Sequence, residues 1–112
     1  MFLFSSTASA TNHTVTNTTG LQNGINNPTT QNGDTLNLTA GTYKEHNIQV
    51  NKNLTITGPK TSTPTAIIDG QNQGKVFNIA CGVKVTLQYL VIQKGNADKE
   101  IGSYGFDGGV GI

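Results

Sequence analysis

A strand-corner-strand unit, written twice, constrains this chain more than any other feature. From Phe77 to Gly95 the apolar residues alternate with polar ones: Phe77 and Ile79 around Asn78, then Val83, Val85 and Leu87 around Lys84 and Thr86. Period two is the pattern of a strand with one buried face. Gly82 lies between these two runs as a turn, and a third run, Leu90-Val91-Ile92, closes at Gly95. Upstream, Ile48-Gln49-Val50, a polar corner at Asn51-Lys52-Asn53, and Leu54-Thr55-Ile56-Thr57-Gly58 repeat the same plan. Such a unit cannot bury its apolar face alone; stacked on its like, it can.

Composition agrees with many short strands joined by frequent turns. Hydrophobic residues make up 34% and charged residues 12% of the 112, so Asn, Thr, Ser, Gln and Gly fill the difference. Thr suits strands, Asn and Gly suit turns, and all three disfavour helix interiors. The length allows one domain. Seven Lys and no Arg, at a net charge of +1, are spread singly along the chain. That pattern lacks the clustered basic footprint of a nucleic-acid binder, and no nucleic-acid partner is expected. Cys81 is the single cysteine, so no disulfide can form within the chain; it reads as a small half-buried corner residue, with a reactive thiol or an intermolecular bridge as the other readings.

In chain order, residues 1–10 read as the remnant of a signal peptide: Phe2-Leu3-Phe4 is apolar and Ala8-Ser9-Ala10 is a small-x-small cleavage pattern. No stretch is long enough to span a membrane as a helix. Residues 11–17 form a polar N-terminal segment. Thr18 to Asn27 is the one helix candidate, with Thr18 or Thr19 as its cap, Leu21 and Ile25 on one face, and Pro28 as its stop. Laid over the end of a sheet, this helix would cover unpaired backbone groups. Thr35 to Leu38 reads as a strand, Ala40 to Tyr43 as a turn with an aromatic plug, and Ala66-Ile67-Ile68 as an apolar strand stopped by Asp69-Gly70. Asn12, Asn17, Asn37 and Asn53 each open an Asn-x-Thr sequon, a site of N-glycosylation in an exported chain; Asn37 and Asn53 fall within strand pairs, where the Asn must point outward.

These pieces, taken in order from Leu21-Gln22-Asn23-Gly24-Ile25-Asn26 through Gly33-Asp34-Thr35-Leu36-Asn37-Leu38, Asn53-Leu54-Thr55-Ile56-Thr57-Gly58, Ile67-Ile68-Asp69-Gly70 and Val85-Thr86-Leu87 to Gly108-Gly109-Val110-Gly111-Ile112, resemble the right-handed parallel β-helix proteins of the pectin-lyase-like superfold. Within it they are most similar to adhesin-like surface proteins of methanogenic archaea and related polymorphic surface-protein repeats. The resemblance covers roughly residues 15–112. It implies an all-β, right-handed parallel β-helix of two to three coils with a short N-terminal capping helix. On this reading residues 18–112 are the cap and first coils of a solenoid that breaks off at the C-terminus.

The same resemblance says what chemistry to look for. Enzymes of the superfold use Asp clusters, for Ca²⁺ or for acid–base work, beside a basic residue. Here Asp34 and Asp69 each sit in a turn, where Asp bonds its own backbone. Asp98, Glu100 and Asp107 could form no more than a loose Ca²⁺ site, without a calcium-loop pattern. His13 and His46 stand apart from other ligands, and Gly108 to Gly111 lack the strand-to-helix setting of a phosphate loop. Asn51, Asn53 and Asn78 read as residues that satisfy corner backbone. No catalytic residue, cofactor or metal ligand is therefore expected. The expected function is non-enzymatic: an exported, cell-surface, adhesin-like protein whose outward Thr and Asn rows meet glycans or other surface components. Its uncapped C-terminal end is expected to self-associate. The alternatives are an N-terminal, non-catalytic piece of a carbohydrate-active β-helix enzyme, a polysaccharide lyase or glycoside hydrolase, and a damaged reading frame with no function of its own.

Overall fold

The computed structural model describes residues 10–96. Its elements are β1 (Asn12–Val15), α1 (Leu21–Asn26), β2 (Thr35–Leu38), β3 (Gly41–Lys44), β4 (Ile48–Val50), β5 (Leu54–Thr57), β6 (Ala66–Asp69), β7 (Phe77–Ile79), β8 (Val85–Gln88) and β9 (Leu90–Gln93). The strands form a four-stranded sheet in the order β1-β2-β5-β8, a three-stranded sheet β3-β6-β9 and a two-stranded sheet β4-β7. All of these pairings are parallel.

Period two explains the registers. Leu36 pairs with Ile56 and Ile56 with Leu87. Tyr43 pairs with Ile68 and Ile68 with Ile92. Ile48 pairs with Phe77, and Val50 with Ile79. A slip of one residue would turn each of these apolar rows to solvent, so burial holds the register. Leu36, Ile56, Ile68 and Phe77 are fully buried, and each such side chain contributes roughly 1.5–3 kcal/mol. Tyr43 is the aromatic plug foreseen near this corner, and it is buried at 1% exposure. Its hydroxyl lies 2.8 Å from the Thr39 carbonyl and 3.0 Å from the Val15 carbonyl, so it has acceptors on both sides. Two glycines are required by geometry. Gly82 has φ +81°, a left-handed turn. At Gly58 a Cβ would collide with the Tyr89 carbonyl oxygen, so the backbone at that corner approaches too closely for any side chain.

The expected all-β, right-handed parallel β-helix of two to three coils is corrected here. The described chain is a small, compact, α/β-like body with separate parallel sheets of four, three and two strands, and no sheet is closed or solenoidal. One physical reason is strand length: strands of three or four residues end before neighbouring sheets can merge. The helix is another. Leu21 and Ile25 are fully buried and belong to the same core cluster as the strands, so α1 shares their core, while its Gln22 covers outward backbone groups of β4 as expected of a helix laid over a sheet edge.

Three local expectations also change. The polar segment 11–17 contains β1, held to β2 through Asn12↔Thr35, His13↔Leu36, Thr14↔Asn37 and Val15↔Leu38. The Ala40–Tyr43 turn is largely β3, paired with β6. The cap of α1 is neither Thr18 nor Thr19. Gly20 holds that position at φ 94° without a side-chain cap, and the Glu45 carboxylate accepts from the Leu21 N–H at 2.7 Å and the Gln22 N–H at 2.9 Å. At the other end Lys52 Nζ donates to the Ile25 carbonyl at 2.6 Å. An anion at the N-terminus and a cation at the C-terminus both suit the helix dipole. The signal-peptide reading of residues 1–10 (all but its last residue), the Asp98, Glu100 and Asp107 calcium reading, and the Gly108–Gly111 segment lie outside the described residues.

Candidate binding face

The outward positions of the four-stranded sheet form two rows. One runs Asn12, Thr35, Thr55, Thr86 and the other Thr14, Asn37, Thr57, Gln88. Asn12, Thr14, Thr86 and Gln88 are exposed and the other four are half-buried. The rows follow from the alternation that buries Leu36, Leu38, Leu54 and Ile56: each inward apolar residue forces a polar neighbour outward. Adjacent strands lie about 4.8 Å apart and alternate residues about 6.7 Å apart, so the rows make a regular grid. All eight side chains are uncharged, and each offers a hydroxyl or carboxamide. Within the grid Asn37 Nδ2 donates to Asn12 Oδ1 at 3.2 Å, and Thr57 Oγ1 donates to the Gly58 carbonyl at 3.0 Å.

At one border of the grid is a shallow depression of about 150 Å³, lined by Gly33, Asn53, Leu54, Thr55, Lys84 and Thr86. It is smaller than the several hundred cubic ångströms that enclose a typical small-molecule ligand. Asn53 shapes it: Oδ1 accepts from the Lys84 N–H at 2.9 Å, which agrees with its expected part in satisfying corner backbone. Asn78 does otherwise, donating from Nδ2 to Gln49 Oε1 at 3.1 Å.

His13 does not stand alone. Its Nε2 is 2.8 Å from Asp34 Oδ2. His13 occupies the inward row with Leu36, Ile56 and Leu87, at the outer end of the core. Asp34 is buried, at 4% exposure, and its carboxylate also accepts from the Gln31 N–H at 2.9 Å and the Thr11 N–H at 3.0 Å. The Gln31 N–H foremost, then His13 and the Thr11 N–H, hold its pKa down at about 2. The pair is committed to joining β1 to the turn before β2, and these three contacts of the carboxylate are structural in kind. Asp69 is the last residue of β6 and not the turn residue expected, though its carboxylate holds the turn that follows: the Gln71 N–H, 2.8 Å from Oδ1, is the main cause that lowers its pKa, with the Gln93 side chain assisting. Among the described residues no group of three or more His, Cys, Asp or Glu is placed to hold a metal ion.

The sequon asparagines divide by the atom they use. Nδ2, to which a glycan is joined, is occupied in Asn17, which donates to the Thr42 carbonyl at 3.3 Å, and in Asn37, which donates to Asn12. Asn12 and Asn53 are engaged through Oδ1. Asn37 lies in β2, whereas Asn53 immediately precedes β5. Cys81 and His46 are exposed, so Cys81 is not the half-buried residue expected at that corner. No helix among the described residues is long and apolar enough to cross a membrane. Comparison with protein families, curated proteins and solved structures found no match for this chain.

Proposed function

We propose that the protein is a non-enzymatic, adhesin-like binding module of the cell exterior, and that the outer face of the four-stranded sheet meets neutral glycans. The observation that carries this reading is the grid itself: eight uncharged hydrogen-bonding side chains on four strands held in register by the core. Hydroxyls and carboxamides both donate and accept, which matches the hydroxyl-rich surface of a sugar. A rigid sheet orders these groups before binding and so lowers the entropic cost of association.

The test is binding to a panel of immobilised neutral and acidic polysaccharides, with Thr55→Val and Thr86→Val as paired variants. Valine keeps the shape and the strand preference but removes the hydroxyl. One net hydrogen bond is about 1 kcal/mol, so each substitution should weaken binding roughly fivefold. A chain that binds no neutral glycan, or whose binding ignores both variants, rules the proposal out.

A further inference from the structure

The free edge of β4 is already occupied, by a side chain. In β4 the backbone groups of Ile48 and Val50 face β7, as the bonds from the Ile48 N–H to the Val76 carbonyl and from the Ala80 N–H to the Val50 carbonyl show. The backbone groups of Gln49 therefore face the opposite edge. There the Gln22 carboxamide meets both: the Gln49 N–H donates to Gln22 Oε1 at 2.7 Å, and Gln22 Nε2 donates to the Gln49 carbonyl at 3.0 Å. One acceptor and one donor are what the neighbouring strand of a parallel or antiparallel pair would supply. Gln22 Nε2 also donates to Asn26 Oδ1, one helical turn on, at 3.2 Å, which steadies the carboxamide. The helix that carries it is fastened alongside β4, by Glu45 before the strand and Lys52 after it. On β3 the Asn17 carboxamide covers one outward group in the same manner, the Thr42 carbonyl.

We infer that Gln22 is a strand surrogate that shuts the β4 edge against a second copy of this chain. Two copies that meet through the same edge are related by a two-fold axis, so β4 would pair antiparallel with its own counterpart through the Gln49 groups. A three-residue strand whose outward backbone groups are already bonded cannot do so. This inference stands whether or not the sheet face binds glycans.

Hydrogen exchange at Gln49, read beside sedimentation, tests it. In Gln22→Ala at low protein concentration the Gln49 amide should exchange about fivefold faster, the equivalent of one net hydrogen bond. As concentration rises, that amide should become protected again while the sedimentation coefficient increases beyond that of the wild type. Gln22→Glu retains an acceptor for the Gln49 N–H but loses the donor, so it should leave Gln49 exchange near the wild-type rate. A role limited to helix packing would move both variants alike. Unchanged β2 and β5 exchange verifies that the variants are folded. Equal Gln49 exchange in the wild type and Gln22→Ala, or faster exchange without concentration-dependent reprotection, overturns the inference.

Discussion

Asp34 shows how much one side chain can join in a chain this poor in charge. Three donors converge on its carboxylate, two of them backbone N–H groups, from Thr11 just before β1 and Gln31 in the turn before β2. Its folded pKa of about 2 lies below the ordinary 3.8. The folded state therefore favours the ionised form: the stability it contributes is complete above about pH 3.8 and is lost as the pH falls through about 2. Urea midpoints measured from pH 6 down to pH 2 should fall across that window. In Asp34→Asn the loss in that window should shrink, because this group no longer titrates. Asp34→Ala should cost on the order of 2–3 kcal/mol at neutral pH, since it leaves the Gln31 and Thr11 donors without their acceptor. The sequence placed Asp34 correctly in a turn but hid its partner. His13 lies 21 residues away, and only the pairing of His13 with Leu36 brings it near. The signal was its parity: His13 and Val15 alternate with Asn12 and Thr14, as core residues do.

At the scale of elements, period two was a reliable guide wherever two apolar residues shared a strand. Leu36 with Leu38, Leu54 with Ile56, and Val85 with Leu87 each announce β2, β5 and β8. β1 was not legible because Val15 is its single aliphatic inward residue. β3 was not legible because Gly41 and Thr42 resemble a turn until β6 is laid beside them. The helix was visible through Leu21 and Ile25, but its cap was not, since Glu45 is 24 residues from Leu21 and belongs to the approach to β4. That distance gives a test. Glu45→Ala should lower stability by about 1 kcal/mol, as loss of a helix cap does, and the Leu21 and Gln22 amides should exchange faster. If the urea midpoint and both amides are unmoved, the carboxylate does not cap α1 in solution. The outward grid was legible as Thr and Asn rows, but its registration across four strands came only from the pairings.

Across the whole molecule the two ends of the sheets differ. At the α1 end, side chains from α1 and the preceding turn meet the edges of β3 and β4. At the other end the inward residues are less well covered. Ile56 and Ile68 are fully buried, while Leu87 and Ile92, their neighbours in β8 and β9, are half-buried. Val50 is buried and its partner Ile79 is not fully so. Incompletely covered aliphatics beside strand edges favour pairing with other chains. Size-exclusion chromatography at micromolar concentration should therefore show species larger than a monomer, through β7, β8 and β9. A single monomeric peak counts against it.

Tyr43 gives the molecule an optical property. The chain has three tyrosines and no tryptophan, so its near-ultraviolet spectrum is a tyrosine spectrum. One of them, Tyr89, is exposed at the β8–β9 corner, whereas Tyr43 of β3 is buried with its hydroxyl against the Val15 and Thr39 carbonyls. Burial raises the Tyr43 phenol above its ordinary 10.0. In alkali the appearance of its phenolate absorbance is therefore delayed, which gives the buried corner around Val15 and Thr39 its own optical reporter.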